Sequence, residues 1–435
     1  MSSRKPPDRF YRSAMQTMAE ISNEATNESI PGTTYWTDDI CDRGLFREIM
    51  NDYLDYVYPM VPVVHRPSFK KALCEEQDEG FSALTVSIAS LVVATMAGRF
   101  QTYRNHNTPL RFSSRKEMKF AISYLFYAAF LQLGDHNWSR MLSVEAFQLA
   151  RLLNLHRISE YRGLNCIETQ LRKKGFWLVF YSYDLMPLDV PDESIFENEV
   201  LVPPNSTMCL ERGFSTHSRV FWTAIRPLCP ISQAEEPCPC TLAHNPLIRI
   251  SYFKERLESL KHLLDEIPDV LRPWELENSL DKDLEVQNPN LLHTQFAAMR
   301  VNLHVTHLWL QSLIMDQLEA AQTHHQGQGW SAEAFDQREM WKDREEICRR
   351  LFFIVYNVPQ ISLEANGLHL ATKVRDISTS LLACPFSSDD PISKRVREYV
   401  GQSTEILSRL DQSESLNTMY LQTWVDTDRI GNANG

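Results

Sequence analysis

Apolar side chains return every third or fourth residue through most of this chain, and that rhythm restricts it to helices. Between residues 42 and 58, Leu45, Ile49, Met50, Leu54 and Val57 trace one stripe, the spacing that sets side chains on one face of a helical turn. Asp42 is placed to cap its start, and Pro59 and Pro62 close its end. Pro67 opens the next helix, where a first turn accepts proline, with Phe69, Ala72 and Leu73 behind it. The same spacing predicts helices over 82–101, 114–133, 138–153, 167–186, 247–267 and 291–321, and Ile347, Leu351, Phe352, Val355 and Tyr356 mark one face of a later one. Only 14 of 435 residues are glycine, and no strand-helix alternation competes. The expected fold class is all-α, a large helical bundle or array of roughly a dozen or more helices without a substantial sheet.

Two stretches depart from the rhythm in informative ways. From Pro187 to Pro246 the prolines at 203, 204, 227, 230, 237 and 239 leave room only for short helices and predict a long connection or a lid. In the 291–321 stretch, Met299, Leu303, Leu310, Leu313 and Ile314 are joined by Trp309, so this helix is apolar around much of its girth and is expected at the centre of the domain. The longest apolar run, 83–98, carries Thr85, Ser87, Ser90 and Thr95 and reads as a buried helix, not a membrane span. Residues 1–39 are polar with scattered apolar positions and read as a disordered leader. A helical domain is expected over 40–385, with further helices and a tail over 386–435.

Charge narrows the function. The net charge of -12, from 56 acidic against 44 basic residues, argues against a surface built to neutralise a phosphate backbone. Arg4, Lys5, Arg9 and Arg12 form a local exception, read as a solvated tail. Nine cysteines, an odd count set in apolar company as at Cys74, Cys348 and Cys384, suit a reducing compartment.

The catalytic templates fail one after another. There is no glycine-rich phosphate loop, no G-x-S-x-G elbow and no H-E-x-x-H pair. His304 and His307 sit three apart with no carboxylate spaced to complete a metal site, and Cys229, Cys238, Cys240 and His244 lack a knuckle because Cys238-Pro239-Cys240 is too short. Arg172-Lys173-Lys174 precedes Phe176, Phe180 and Tyr183, whose spacing fits a helix interior, so the three charges read as that helix's solvated entry. No catalytic residue, cofactor or metal ligand is assigned.

Three segments resemble one family in order. Tyr58-Pro59-Met60-Val61-Pro62-Val63-Val64-His65-Arg66-Pro67-Ser68-Phe69 is similar to the opening signature of the regulatory region, often called the middle homology region, of fungal zinc-cluster transcription factors. Ala146 through Arg157, with its Arg151, His156 and Arg157, resembles that family's alanine-arginine helix, and Glu168, Arg172 and Trp177 follow at the expected distance. Met299 through Gln311, and Tyr356-Asn357-Val358-Pro359-Gln360, resemble the branch of xylanolytic and quinate-utilisation activators. The family's six-cysteine zinc cluster is absent here, the first cysteines being Cys41 and Cys74.

The resemblance implies a nuclear regulator of RNA polymerase II transcription in a fungus, of a metabolic or secondary-metabolite gene cluster, acting through a non-catalytic helical domain. Zinc would enter only with a cluster outside this chain, and DNA would be reached indirectly or through such a module. Implied partners are other transcription factors or coactivators, a homo- or heterodimer, and a small-molecule effector, with no membrane. Trp177, Tyr181, His304, His307 and Trp309 are the candidate effector pocket, because aromatic walls with a few polar groups suit small ligands. His65, Arg66, Pro67, Arg151, His156 and Arg157 are read as structural. The alternatives are a stand-alone co-regulator or ligand-binding scaffold, and an enzyme of fungal secondary metabolism. The stretch from Asp411 to Asp428, with Leu416, Tyr420, Leu421 and Trp424, suits an acidic activation segment or, more simply, a last helix packed on the domain.

Overall fold

In the computed structural model, residues 43–74, 79–99, 103, 119–182, 206–228, 245–265, 267–272, 289–326 and 337–410 are described. Among them every regular element is helical. The chain runs α1 (Arg43–Asp52), α2 (Arg66–Ala72), α3 (Glu79–Thr95), α4 (Lys119–Gln132), α5 (His136–Leu152) and α6 (Cys166–Ser182). It continues with α7 (Ser206–Leu228), α8 (Pro246–Lys261), α9 (Pro289–Gln326), α10 (Gln337–Tyr356), α11 (Gln360–Glu364), α12 (Gly367–Ser380) and α13 (391–410). The all-α fold class stands.

The first half stacks helix on helix. Helix α3 has no polar face, and it is buried around its girth because α1 and α4 cover it. Three of its hydroxyls are satisfied within the helix, Thr85 donating to the Ser82 carbonyl at 2.9 Å, Ser87 to Leu84 at 2.8 Å and Ser90 to Val86 at 2.9 Å, which offsets the cost of burying them. Thr95 Oγ1, at its end, is buried without a partner. Helices α4 and α5 form a tight hairpin. Gly134, at φ 75°, takes the left-handed conformation that ends α4, and the Asp135 carboxylate accepts from the Trp138 N–H at 3.1 Å to cap α5. Asn154, at φ 50°, ends α5 in the same way. Gly175 lets α6 approach α4 closely, since a Cβ there would lie 2.6 Å from the Phe120 ring.

The second half is organised around α9. At 38 residues it is about 57 Å long, and α7, α8, α10, α11 and α12 all pack on it. Phe296, Met299, Val301, Leu303, Leu310 and Ile314 are fully buried along it, so the central helix read from the apolar girth is central. Helix α13 closes the fold against α10, with the Tyr399 ring stacked on Phe352 at 5.6 Å. No described helix is long and apolar enough to cross a membrane.

Two expectations are corrected. Residues 206–228 form one 23-residue helix where only short helices were expected. Pro227 falls in its last turn, beyond the buried Leu210, Phe214, Phe221 and Trp222, so the proline marks an end and breaks nothing. Lys173 and Lys174 are buried, not solvated; the Lys173 amine lies 6.0 Å from the Tyr161 ring centre, while Arg172 pairs with Glu168 at 2.7 Å. The leader 1–39, the Cys229 to His244 loop and the segment from Asp411 to Asp428 lie outside the described residues.

Candidate effector site

Four helices deliver polar and aromatic groups to one place. Helix α6 brings Trp177 and Tyr181, one turn apart and stacked at 6.0 Å. Helix α7 brings Phe214, His217, Ser218 and Phe221, spacing that lays all four along the face turned to α9. The Tyr181 hydroxyl bonds Ser218 Oγ, and its ring meets the His217 edge at 4.7 Å and Phe221 at 5.1 Å. Helix α9 contributes Thr306 and Trp309, whose ring lies 6.3 Å from Phe221. Helix α12 contributes His369, Lys373 and Asp376, again one turn apart.

The polar groups form a short relay. Lys373 Nζ donates to Thr306 Oγ1 at 2.6 Å, and Thr306 Oγ1 lies 3.1 Å from His217 Nε2. With the lysine donating, the threonine proton goes to Nε2, which leaves the imidazole proton on Nδ1. Nδ1 is buried and has no hydrogen-bond partner. Trp309 Nε1 donates to Asp376 Oδ2 at 2.8 Å, occupying the carboxylate one turn from Lys373.

Burial sets the protonation. It pushes the Lys373 amine down to about 7 and the His369 imidazole down to about 4, with Lys373 adding repulsion. His217 is held well below its ordinary value by burial, then by Lys373 and His369. His369 is nevertheless exposed at the surface, and Tyr181, Trp309 and Lys373 are only half-buried. Half-buried side chains from three helices beside an exposed imidazole mark a recess between them that is open to solvent.

The five candidate pocket residues are therefore divided. Tyr181 and Trp309 share this recess, and Trp177 is buried behind Tyr181, on which it stacks. His304 and His307 face the other flank of α9, where His304 Nε2 donates to the Leu271 carbonyl at 2.7 Å and His307 Nε2 to the Leu260 carbonyl at 2.6 Å. Gln311 Nε2 donates to His307 Nδ1 at 3.1 Å, fixing that tautomer. Burial holds both imidazoles down at about 4, so they act as neutral struts from α9, His307 to the end of α8 and His304 to the short turn Asp269–Leu271. His217, Ser218, Thr306, His369 and Lys373 were not singled out in the sequence. The stripe of Leu210, Phe214, His217 and Phe221 was the available signal for α7, and nothing local marks Lys373.

The signature residues hold helices together. Tyr53–Val57 is a single π turn following α1, and the Leu54 carbonyl accepts from both the Arg66 guanidinium and Gln295 Nε2, the latter at 3.1 Å. Arg66 also lies over the Tyr58 ring at 4.7 Å. It thereby joins the first helices to α9, while His65 Nδ1 bonds Ser68 Oγ at 2.8 Å at the start of α2, with Pro67 in its first turn. Arg151 lies over the Phe147 ring at 5.9 Å, and Arg157 Nε donates to the buried His156 at 3.2 Å. Among the described residues no group of three or more histidines, cysteines or carboxylates is arranged to hold a metal ion.

Compared with known proteins, residues 50–183 match the model of the fungal specific transcription factor domain. The match runs from the end of α1 to the end of α6, and so contains Arg66, Arg151, His156, Trp177 and Tyr181. No curated protein and no solved structure matches the chain.

Proposed function

We propose that this chain regulates RNA polymerase II transcription in the nucleus of a fungus, through a helical domain that responds to a small effector and passes the response to partner proteins. The observation that carries the reading is the match of residues 50–183 to a transcription factor domain, a description that implies a regulator and not an enzyme. The signatures at 58–69 and 146–157 fall inside that span, and the segments at 299–311 and 356–360 favour the branch of metabolic activators. The negative net charge agrees with DNA contact supplied by another module, and with coactivators or a second regulator as the direct partners.

The experiment is a tethering assay. The full chain, fused to an unrelated DNA-binding domain in a fungal host, is expected to change expression of a reporter carrying the matching operator. A reporter indifferent to the fused chain, with the fusion present in the nucleus, would refute the reading. So would tight, sequence-selective operator binding by the purified chain alone, which would move DNA contact into these residues.

A further inference from the structure

We propose that the recess between α6, α7, α9 and α12 binds a small organic acid, its carboxylate held by the Lys373 amine and its apolar body lying against Tyr181, Phe221 and Trp309. The inference names the effector class and rests on the regulatory reading only for its consequence, since binding itself is a property of the purified chain.

Lys373 is the first argument. Its amine has one hydrogen-bond partner, Thr306 Oγ1, and among the described residues no carboxylate pairs with it. The nearest acid on its own helix, Asp376, is engaged by Trp309 Nε1. A half-buried ammonium without a counter-ion loses part of its hydration with nothing to replace it. A fold that needed only packing at this position would be better served by a hydrocarbon. An anion arriving in the recess supplies the missing charge.

His217 is the second. The relay from Lys373 through Thr306 leaves Nδ1–H as an unspent donor, buried and without a partner. Two unspent polar functions, one cationic and one neutral, thus lie at opposite ends of a single hydroxyl. His369, a turn before Lys373 on α12, adds an exposed imidazole at the mouth of the recess. The remaining walls are aromatic rings 4.7 to 6.3 Å apart, those of Tyr181, His217, Phe221 and Trp309.

The chemistry selects the class. One lysine is a point charge, whereas phosphate recognition calls for a fork of donors or several cations. Flat rings beside a single positive charge suit a monocarboxylate with an aromatic or short aliphatic body.

The test titrates the full chain with benzoate, phenylacetate and hexanoate, and with the neutral amide of each, by calorimetry and by the fluorescence of the tryptophans at the recess. Saturable binding of at least one acid is expected, weaker by about tenfold or more for its amide and for Lys373→Met. At pH 8 the acid should bind with proton uptake, because the carboxylate raises the affinity of Lys373 for its proton. His217, His369 and Asp376 are the other titratable groups facing the amine, and the uptake should vanish in Lys373→Met and persist in His369→Gln. No binding by any of the three acids at millimolar concentration, equal binding by the amides, preference for inorganic phosphate, or undiminished binding by a folded Lys373→Met chain would each overturn the proposal. A silent reporter with acid binding intact would sink the transcriptional reading and leave the site standing; an active reporter without acid binding would do the reverse.

Discussion

The two flanks of α9 treat their buried histidines in opposite ways. Toward α8, His304 and His307 each donate through Nε2 to a backbone carbonyl, those of Leu271 and Leu260, the latter also accepting from the Leu263 N–H at 3.1 Å, and Gln311 engages the second nitrogen of His307. Toward α7 and α12, His217 Nδ1 has no partner and Lys373 shares one hydroxyl. Both flanks are dry enough to disfavour charge. The hydrogen-bonded histidines on one side help hold the fold together, although Arg300 Nε one turn before His304 is buried there without a partner. The unspent amine and imidazole on the other side are a standing cost that stability alone does not explain.

The sharpest way to break the contrast is to remove the lysine. Lys373→Met should leave the chain as stable as before or more stable, by about 1–4 kcal/mol, as when buried charges are replaced by packed hydrocarbon. The sign of the pH dependence follows from linkage. The folded amine titrates near 7 and the unfolded one near 10.4, so below pH 7 both states are protonated and the folded state carries the whole penalty. As pH rises from 7 toward 10 the unfolded chain alone keeps its proton, and the wild type gains stability. Denaturant melts should therefore show the greatest advantage of Lys373→Met at pH 6 and little at pH 10. A loss of stability in the variant at pH 6 would make Lys373 an ordinary structural residue and erase the difference between the flanks.

The paired flank should respond with the opposite sign. His304→Leu removes the donor to the Leu271 carbonyl and should cost about 1–3 kcal/mol. His304 and His307 titrate near 4 in the fold against about 6.5 unfolded. Between those values only the unfolded chain takes up protons, so their contribution is complete above pH 6.5 and lost as pH falls to 4. His304→Leu should flatten that acid limb while leaving the alkaline limb of Lys373 in place. A pair of windows that moved together in either variant would mean the flanks are one coupled network.

How much of this could be read beforehand differs between the same two regions. The apolar patterns of α1, α3 and α9 are local, and α1 and α9 lie where the spacing put them, while α3, expected over 82–101, spans Glu79–Thr95. The sequence reading groups His304, His307 and Trp309 as polar and aromatic candidates for one pocket, yet at about 100° per residue Trp309 points well away from both histidines. Thr306, about 60° from Trp309, was the neighbour that geometry favoured. Helix α7 was hidden by the weight given to prolines around it. Lys373 and His217 are remote in sequence, and no local pattern connects a lysine on one amphipathic helix with a histidine on another; only packing against α9 brings them to the same hydroxyl. The burial of Lys173 and Lys174 was missed for a related reason, since a run of three charges gives no sign that Tyr161 folds back beneath it.

The finest probe of the contrast is the tryptophan that keeps Asp376 away from Lys373. Trp309→Phe retains a ring in the wall and deletes the N–H that Asp376 accepts, a loss of about 0.5–1.5 kcal/mol if nothing replaces it. The freed carboxylate lies one helical turn from the amine and can turn toward it, raising the lysine's affinity for its proton and recovering part of that cost. The variant should consequently be destabilised by less at pH 6, where Lys373 is charged, than at pH 9, where it is neutral. It should also bind a small acid more weakly, because an internal carboxylate now competes for the same ammonium. Equal destabilisation at both pH values would show that Asp376 cannot reach the lysine, and that the recess keeps its charge unpaired by geometry alone, without help from Trp309.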